Sequence, residues 1–224
     1  MNPTPASRES RAPSDCTLYL LRHGAVETKP GGKRYIGWQN PALDDLGLRQ
    51  ARSWADYFAS SALGEILCSD LVRCRQTARI IGDRCSLTPR VLPELREICL
   101  GDWDGESFDT IRRLYPRDFQ QRGDQIADHR PPKGESFRDL QARVWPVFEA
   151  AALGAGSNTL IVTHAGVIRV ILCRLLNMPL ENLFRLGQTY GALNIIDKRP
   201  QGYRVQALNL QPAFQSCSPS PAQA

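Results

Sequence analysis

The sequence predicts an α/β fold: a mostly parallel central sheet with helices on both faces, three layers in all. Three observations predict it. Short apolar runs recur along the chain, the first four being TLYLL (17–21), EILCS (65–69), RVL (90–92) and TLIVT (159–163). These runs are largely apolar with no polar alternation, as expected of strands covered on both faces. Helical patterns stand between them, and strand–helix alternation implies parallel strands joined by helical crossovers.

Taken in order, residues 1–16 are rich in Pro, Ser and Arg and read as a disordered tail. The folded domain then spans 17–210, with no internal repeat. A helix is expected over 44–60, where Ala51, Trp54, Ala55 and Phe58 follow i, i+3, i+4, i+7 spacing behind Asp44 as N-cap. A second helix runs over 71–84. Residues 105–135 break the alternation and read as helical pieces and loops inserted over one end of the sheet. In 136–153, Leu140, Val144, Val147, Phe148 and Ala151 form a cleaner stripe, with Pro146 expected to kink or break the helix. A fourth helix covers 166–177, and Pro179 starts a short fifth. Two last strands are LNIID (193–197) and YRVQALN (203–209), before a second disordered tail over 211–224.

Composition narrows the function classes. Of 28 basic residues 24 are arginine, against 23 acidic ones, for a net charge of +5. That balance is too mild for a dedicated nucleic-acid binder and would suit a small anionic substrate. The seven cysteines form no C-x-x-C pair, which argues against a disulfide framework. Cys68, Cys99 and Cys173 lie among apolar neighbours and are expected in the core. No run of 18 apolar residues offers a membrane span, and MNPTPASRESRAPSD lacks the apolar region of a secretory signal. A cytoplasmic protein is expected.

The chemistry-bearing residues fall just beyond the strands, where open α/β sheets place their ligand crevice. LYLLRHG (18–24) ends in Arg22, His23 and Gly24. LCSDLVRCRQTA (67–78) carries Arg73 into a helix. ELREICLGDWDG (94–105) carries Glu94, Glu97, Asp102 and Asp104. LIVTHAGVIR (160–169) enters a helix through His164, Ala165 and Gly166. Gly24, Ala165 and Gly166 are small enough to admit a ligand close to the backbone. A helix start after His164 offers free N–H groups to an anion. For a phosphoryl group, two arginines could bind its oxygens, a histidine could attack, and a carboxyl could protonate the leaving oxygen, with no metal required. Each residue alone has a bland reading: a structural histidine, a surface arginine, a solvated acidic loop. The four together do not.

LLRHG, SDLVRCRQTA, the acid ahead of GDWDG, and VTHAG, in that order, resemble the histidine phosphatase superfamily, the phosphoglycerate-mutase-like group. The resemblance implies that His23 is the nucleophile and becomes phosphohistidine. It implies that Arg22, Arg73 and His164 clamp the phosphoryl oxygens with the Ala165 N–H, and that Glu97 is the proton donor. Arg75 and Arg96 are then peripheral, and His129 is a loop residue. The stretches 34–51, 131–144 and 174–186 resemble the α-ribazole phosphatase branch, small bacterial phosphatases that act late in cobalamin assembly. The sequence departs from the family after R-H-G, with Ala25, Val26 and then Lys29 where an asparagine is usual. Lys29 could stand near the phosphate or face solvent. The implied function is a metal- and cofactor-independent phosphatase of a small phosphomonoester, monomer or homodimer, without nucleic-acid or membrane partners. Alternatives are a phosphoglycerate mutase, a broad-specificity sugar-phosphate phosphatase, and a non-catalytic protein that binds phosphorylated ligands.

Overall fold

A computed structural model describes residues 16–27, 32–154 and 157–213. In chain order these form β1 (Cys16–Arg22), α1 (Asp45–Ala59), β2 (Leu63–Cys68), α2 (Val72–Cys85), β3 (Arg90–Val91), α3 (Phe108–Leu114), α4 (Pro116–Asp124), α5 (Phe137–Leu153), β4 (Asn158–Thr163), α6 (Ala165–Leu175), β5 (Leu193–Arg199) and β6 (Gly202–Leu210). The sheet order is β3-β2-β4-β1-β5-β6. The pairs β3/β2, β2/β4 and β4/β1 are parallel, and β5 runs antiparallel to both β1 and β6.

Alternate residues of the central strands feed two cores. Leu18, Leu20, Leu67 and Ile161 pack with Leu140, Val144 and Phe148 of α5 and with Val167 and Ile171 of α6. Leu21, Ile66, Leu160 and Val162 pack with Trp54 and Phe58 of α1 and with Cys74 and Ile81 of α2. Three layers follow, as expected. Asp44 caps α1, its carboxylate accepting from the Gly47 N–H at 2.7 Å.

Several expectations need correction. Cys16 belongs to β1, not to the tail. RVL supplies only a two-residue edge strand, and both of its residues are exposed. The helix after β4 starts one residue earlier than the periodicity suggests, directly behind His164, and ends at Leu175. Residues Leu180–Arg185 form 3-10 turns. Pro146 does not break α5, which continues for 17 residues. Pro146 faces solvent, so water can serve the Ala142 carbonyl that lost its N–H partner, while the buried stripe holds the helix in place. Cys99 is only half-buried, whereas Cys68 and Cys173 lie in the core as expected. The two terminal tails, apart from Cys16 and residues 211–213, and Lys29 lie outside the described residues.

Candidate active site

β1, β2 and β4 end side by side, with Arg22 opposite Thr163 and Cys68 opposite Val162. Chain continuity then delivers His23, Ser69 and His164 to one edge of the sheet. The His23 N–H donates to the Thr163 carbonyl at 3.0 Å, extending the β1–β4 pairing by one residue.

The His23 ring is almost fully buried, and its Nδ1 lies 2.8 Å from the Gly24 carbonyl. A carbonyl can only accept, so Nδ1 carries the proton and Nε2 keeps its lone pair. Arg73 Nε donates to that lone pair at 3.2 Å. Burial, then the Arg73 and Arg22 guanidiniums, push the His23 pKa well below the usual histidine value. The imidazole is therefore neutral and its free nitrogen is nucleophilic. His164 stands 5.2 Å away ring to ring, fully buried. Its Nε2 is 2.9 Å from Ser69 Oγ and 3.4 Å from Cys74 Sγ. Burial, then Arg73 and His23, likewise hold its pKa well down.

Arg73 is buried at 1% exposure, and its two terminal nitrogens donate to the carbonyls of Gln39 (2.6 Å) and Gly37 (2.8 Å). Arg22 donates to the Gln188 carbonyl at 2.6 Å and lies 3.7 Å over the Tyr190 ring, its buried Nε without a partner. Among the described residues neither guanidinium forms an ion pair with a carboxylate. Two cations held by neutral carbonyls beside a neutral imidazole make a socket for an anion, because a buried charge left unpaired is costly.

Glu97 is joined to this socket through the backbone. Its Oε2 accepts from the Gly166 N–H at 3.0 Å and its Oε1 from the Ile98 N–H at 2.9 Å. A Cβ on residue 166 would lie 2.3 Å from Glu97 Oε1, so glycine there is what lets the carboxyl reach the start of α6. Gly24 has a packing reason that the sequence does not suggest. A Cβ there would meet the Gly47 carbonyl at 2.5 Å, so its small size serves the packing of the chain after β1 against α1.

The structure brings together Arg22, His23, Arg73, Glu97, His164 and Ala165, and sets Arg75 and Arg96 aside. Arg75 is exposed, and Arg96 pairs with Asp70 and covers the Trp38 ring. His129 is a loop residue whose ring lies tilted against Trp103, 5.7 Å between centres. Sequence reasoning singles out none of Ser69, Gln188 and Tyr190, nor the role of Asp104. The Asp104 carboxylate accepts from the N–H groups of Gly37, Trp38 and Gln39 at 2.8, 2.8 and 2.9 Å. It thus shapes the loop whose carbonyls hold Arg73. Trp38 in turn donates its indole N–H to the Glu97 carbonyl at 2.8 Å. Ser69 lies within the motif SDLVRCRQTA, so its position could have flagged it. Gln188 and Tyr190 lie in no such motif.

Among the described residues no group of three or more His, Cys, Asp or Glu side chains is placed to hold a metal ion, and no helix is long and apolar enough to cross a membrane.

Residues 18–211 match the model of the histidine phosphatase superfamily, branch 1. The chain belongs to this superfamily, and it is a phosphatase of that class. It is 31% identical to the adenosylcobalamin/α-ribazole phosphatase of Salmonella typhimurium, over 80% of this chain and 89% of that one. It is 34% identical to the probable phosphoglycerate mutase GpmB of Yersinia pestis, over 80% and 84%. Among solved structures, the α-ribazole phosphatase of Shigella flexneri superposes with a TM-score of 0.79 at 26% identity, over 87% of this chain and 96% of that one. A mycobacterial glucosyl-3-phosphoglycerate phosphatase superposes with a TM-score of 0.78 at 29% identity, over 88% and 100%.

Proposed function

We propose that the protein hydrolyses a small phosphomonoester through a phosphohistidine on His23. The observation that carries this reading is the His23 tautomer. The Nδ1 proton is committed to the Gly24 carbonyl, and the Nε2 lone pair faces a guanidinium that has no anionic partner.

In the first step Nε2 attacks phosphorus and the P–O bond to the leaving alcohol breaks. The electron pair goes to that oxygen, which takes a proton from the Glu97 carboxyl and departs as the alcohol. Arg73 gives up its bond to Nε2 for a phosphoryl oxygen. Arg22, His164 and the Ala165 N–H bind the rest, and charge shifts onto groups already in place. In the second step water attacks phosphorus, the P–N bond breaks, and the water proton passes to Glu97. Inorganic phosphate leaves and both residues are restored. The guanidiniums and N–H groups supply the charge stabilisation, so the chemistry is assigned to these residues without a metal.

The likeness to α-ribazole phosphatases makes α-ribazole 5′-phosphate one candidate substrate. The likeness to mutase-named and glucosyl-3-phosphoglycerate-phosphatase proteins makes phosphoglycerates and their esters another. Hydrolysis is favoured over mutase action by the short insertion over 105–135. The test is phosphate release with chelator present, from an aryl phosphate and from both substrate candidates, together with trapping of an acid-labile phosphoenzyme. Turnover with a trapped phosphohistidine is expected. Turnover without one would overturn the covalent mechanism, and transfer to a second hydroxyl in place of water would establish the mutase.

A further inference from the structure

Beside Glu97 lies a cavity of about 330 Å³ that the phosphoryl chemistry leaves unused. Glu97, Ala165 and Gly166 form one side of it. Tyr35, Phe108, Phe119, Phe137 and Phe184 supply aromatic walls. Three further arginines, Arg34, Arg122 of α4 and Arg169 of α6, share the lining, and Arg34 donates to the Gly105 carbonyl at 3.1 Å. The leaving group that receives the Glu97 proton must occupy space adjoining that carboxyl, and this cavity, lined by Glu97 and Ala165, adjoins it.

Arg122 is the anomaly. It is only 7% exposed, and its Nη1 is buried without a hydrogen-bond partner. Among the described residues it makes no ion pair. Its neighbours are the Trp103 ring at 6.0 Å and the Phe137 ring at 5.4 Å. Burial pulls its pKa below the usual arginine value, and only the Tyr35 hydroxyl opposes this. Ring faces attract a cation, but they do not replace the water taken from the buried Nη1. Arg169 is better provided for. Its Nε donates to the Leu186 carbonyl at 3.0 Å, and its guanidinium covers Phe184 at 5.2 Å. A buried cation with an unpartnered N–H in a cavity is an arrangement suited to binding an acid.

We propose that Arg122 binds an acidic group on the leaving alcohol, a carboxylate or a second phosphate, and that the aromatic walls hold the hydrocarbon between that group and the reacting oxygen. This rests on the phosphatase reading above and refines its substrate class. It favours acid-bearing esters over the neutral nucleoside of α-ribazole 5′-phosphate.

The test compares substrates differing only in the acid. 3-Phosphoglycerate is set against glycerol 3-phosphate for a carboxylate, and fructose 1,6-bisphosphate against fructose 6-phosphate for a phosphate. α-Ribazole 5′-phosphate is the neutral aromatic arm, and p-nitrophenyl phosphate reports the chemistry. The wild-type protein should favour one acid-bearing member by about tenfold or more in kcat/KM, chiefly through KM. In Arg122→Met the ratio should collapse towards one, and Arg122→Lys should restore part of it. A wild-type ratio near one in both pairs, a ratio unchanged in Arg122→Met, or a preference for α-ribazole 5′-phosphate over all acid-bearing esters would overturn the proposal. Failure of the wild-type protein to turn over p-nitrophenyl phosphate would instead defeat the phosphatase reading. The ratio of Kd values for 3-phosphoglycerate, wild type against Arg122→Met, would then decide the cavity: weakening of about tenfold supports the acid site, and no change overturns it.

Discussion

The two ends of the site are built by different means. The phosphoryl end sits on the central strands. His23, Ser69 and His164 each follow the last residues of a parallel strand, and buried packing on both sheet faces fixes their spacing. The leaving-group end is assembled from the insertion, α3 and α4, closed over the sheet by α5, α6 and the 3-10 turns after Pro179. One end is set by ladder geometry that leaves little room for variation. The other is set by side chains on short helices, where substitution changes the cavity without disturbing the sheet. Chemistry should therefore be brittle at the first end and substrate choice tunable at the second.

The sharpest break in that contrast is His23→Ala. The ring stands at a strand end outside both main apolar clusters, so the fold should survive. Turnover of every substrate should fall by about a thousandfold or more, with no phosphoenzyme trapped. A variant that keeps its activity would return His23 to a structural role. Glu97→Gln comes next and divides substrates by leaving group. Esters of alkyl alcohols need the proton and should lose about a hundredfold or more, whereas an activated aryl phosphate should lose far less. Equal losses on both would show that Glu97 only holds the start of α6.

Asp104 tests whether the two ends are coupled. It touches neither substrate nor nucleophile, yet its carboxylate orders the 37–39 loop that holds Arg73 through two carbonyls and Glu97 through Trp38. Asp104→Ala leaves three N–H groups unsatisfied and frees that loop. Activity should fall by about tenfold to a hundredfold, and competitive inhibition by vanadate should weaken alongside it. Asp104→Asn, keeping one acceptor, should lie between. Lower thermal stability with an unaltered vanadate Ki would confine Asp104 to folding.

The sequence is most readable where the physics is local. Apolar runs between helical patterns give the three layers. Arg22, His23, Arg73, Glu97 and His164 are visible because each lies next to a strand or a short motif. Pro146 misleads because a local rule meets a helix whose other face is held by the core, with the proline itself in solvent. The packing demand on Gly24 is hidden because the atom it avoids belongs to Gly47, 23 positions later in the chain. The Asp104 loop and the Arg122 cavity are invisible for the same reason. An aspartate in an acidic loop and an arginine in a short polar helix look solvated until tertiary packing shows what each one lacks or supplies.

The smallest effect separates the stability of the phosphoryl end from its reactivity. Both His23 and His164 have pKa values held well below 6.5, first by burial and then by Arg73. In the unfolded chain both imidazoles take up protons near 6.5, while in the folded protein they stay neutral to much lower pH. Between those two points the unfolded state binds more protons, so stability is fully present above pH 6.5 and is lost as pH falls, by up to about 1.4 kcal/mol per pH unit for each histidine. The lowered carboxylates Asp70, Asp128 and Asp139 pull the same way, but their window begins near their ordinary value of 3.8. Urea midpoints measured from pH 7.5 to 5 should therefore fall, and His164→Gln should remove one proton from the slope. Over the same interval kcat/KM for an aryl phosphate should not drop with a pKa of 6.5 belonging to His23, because the folded nucleophile is still neutral. A midpoint independent of pH, or a rate that falls through 6.5 with the stability, would mean that these rings are solvated and that the socket is open to water.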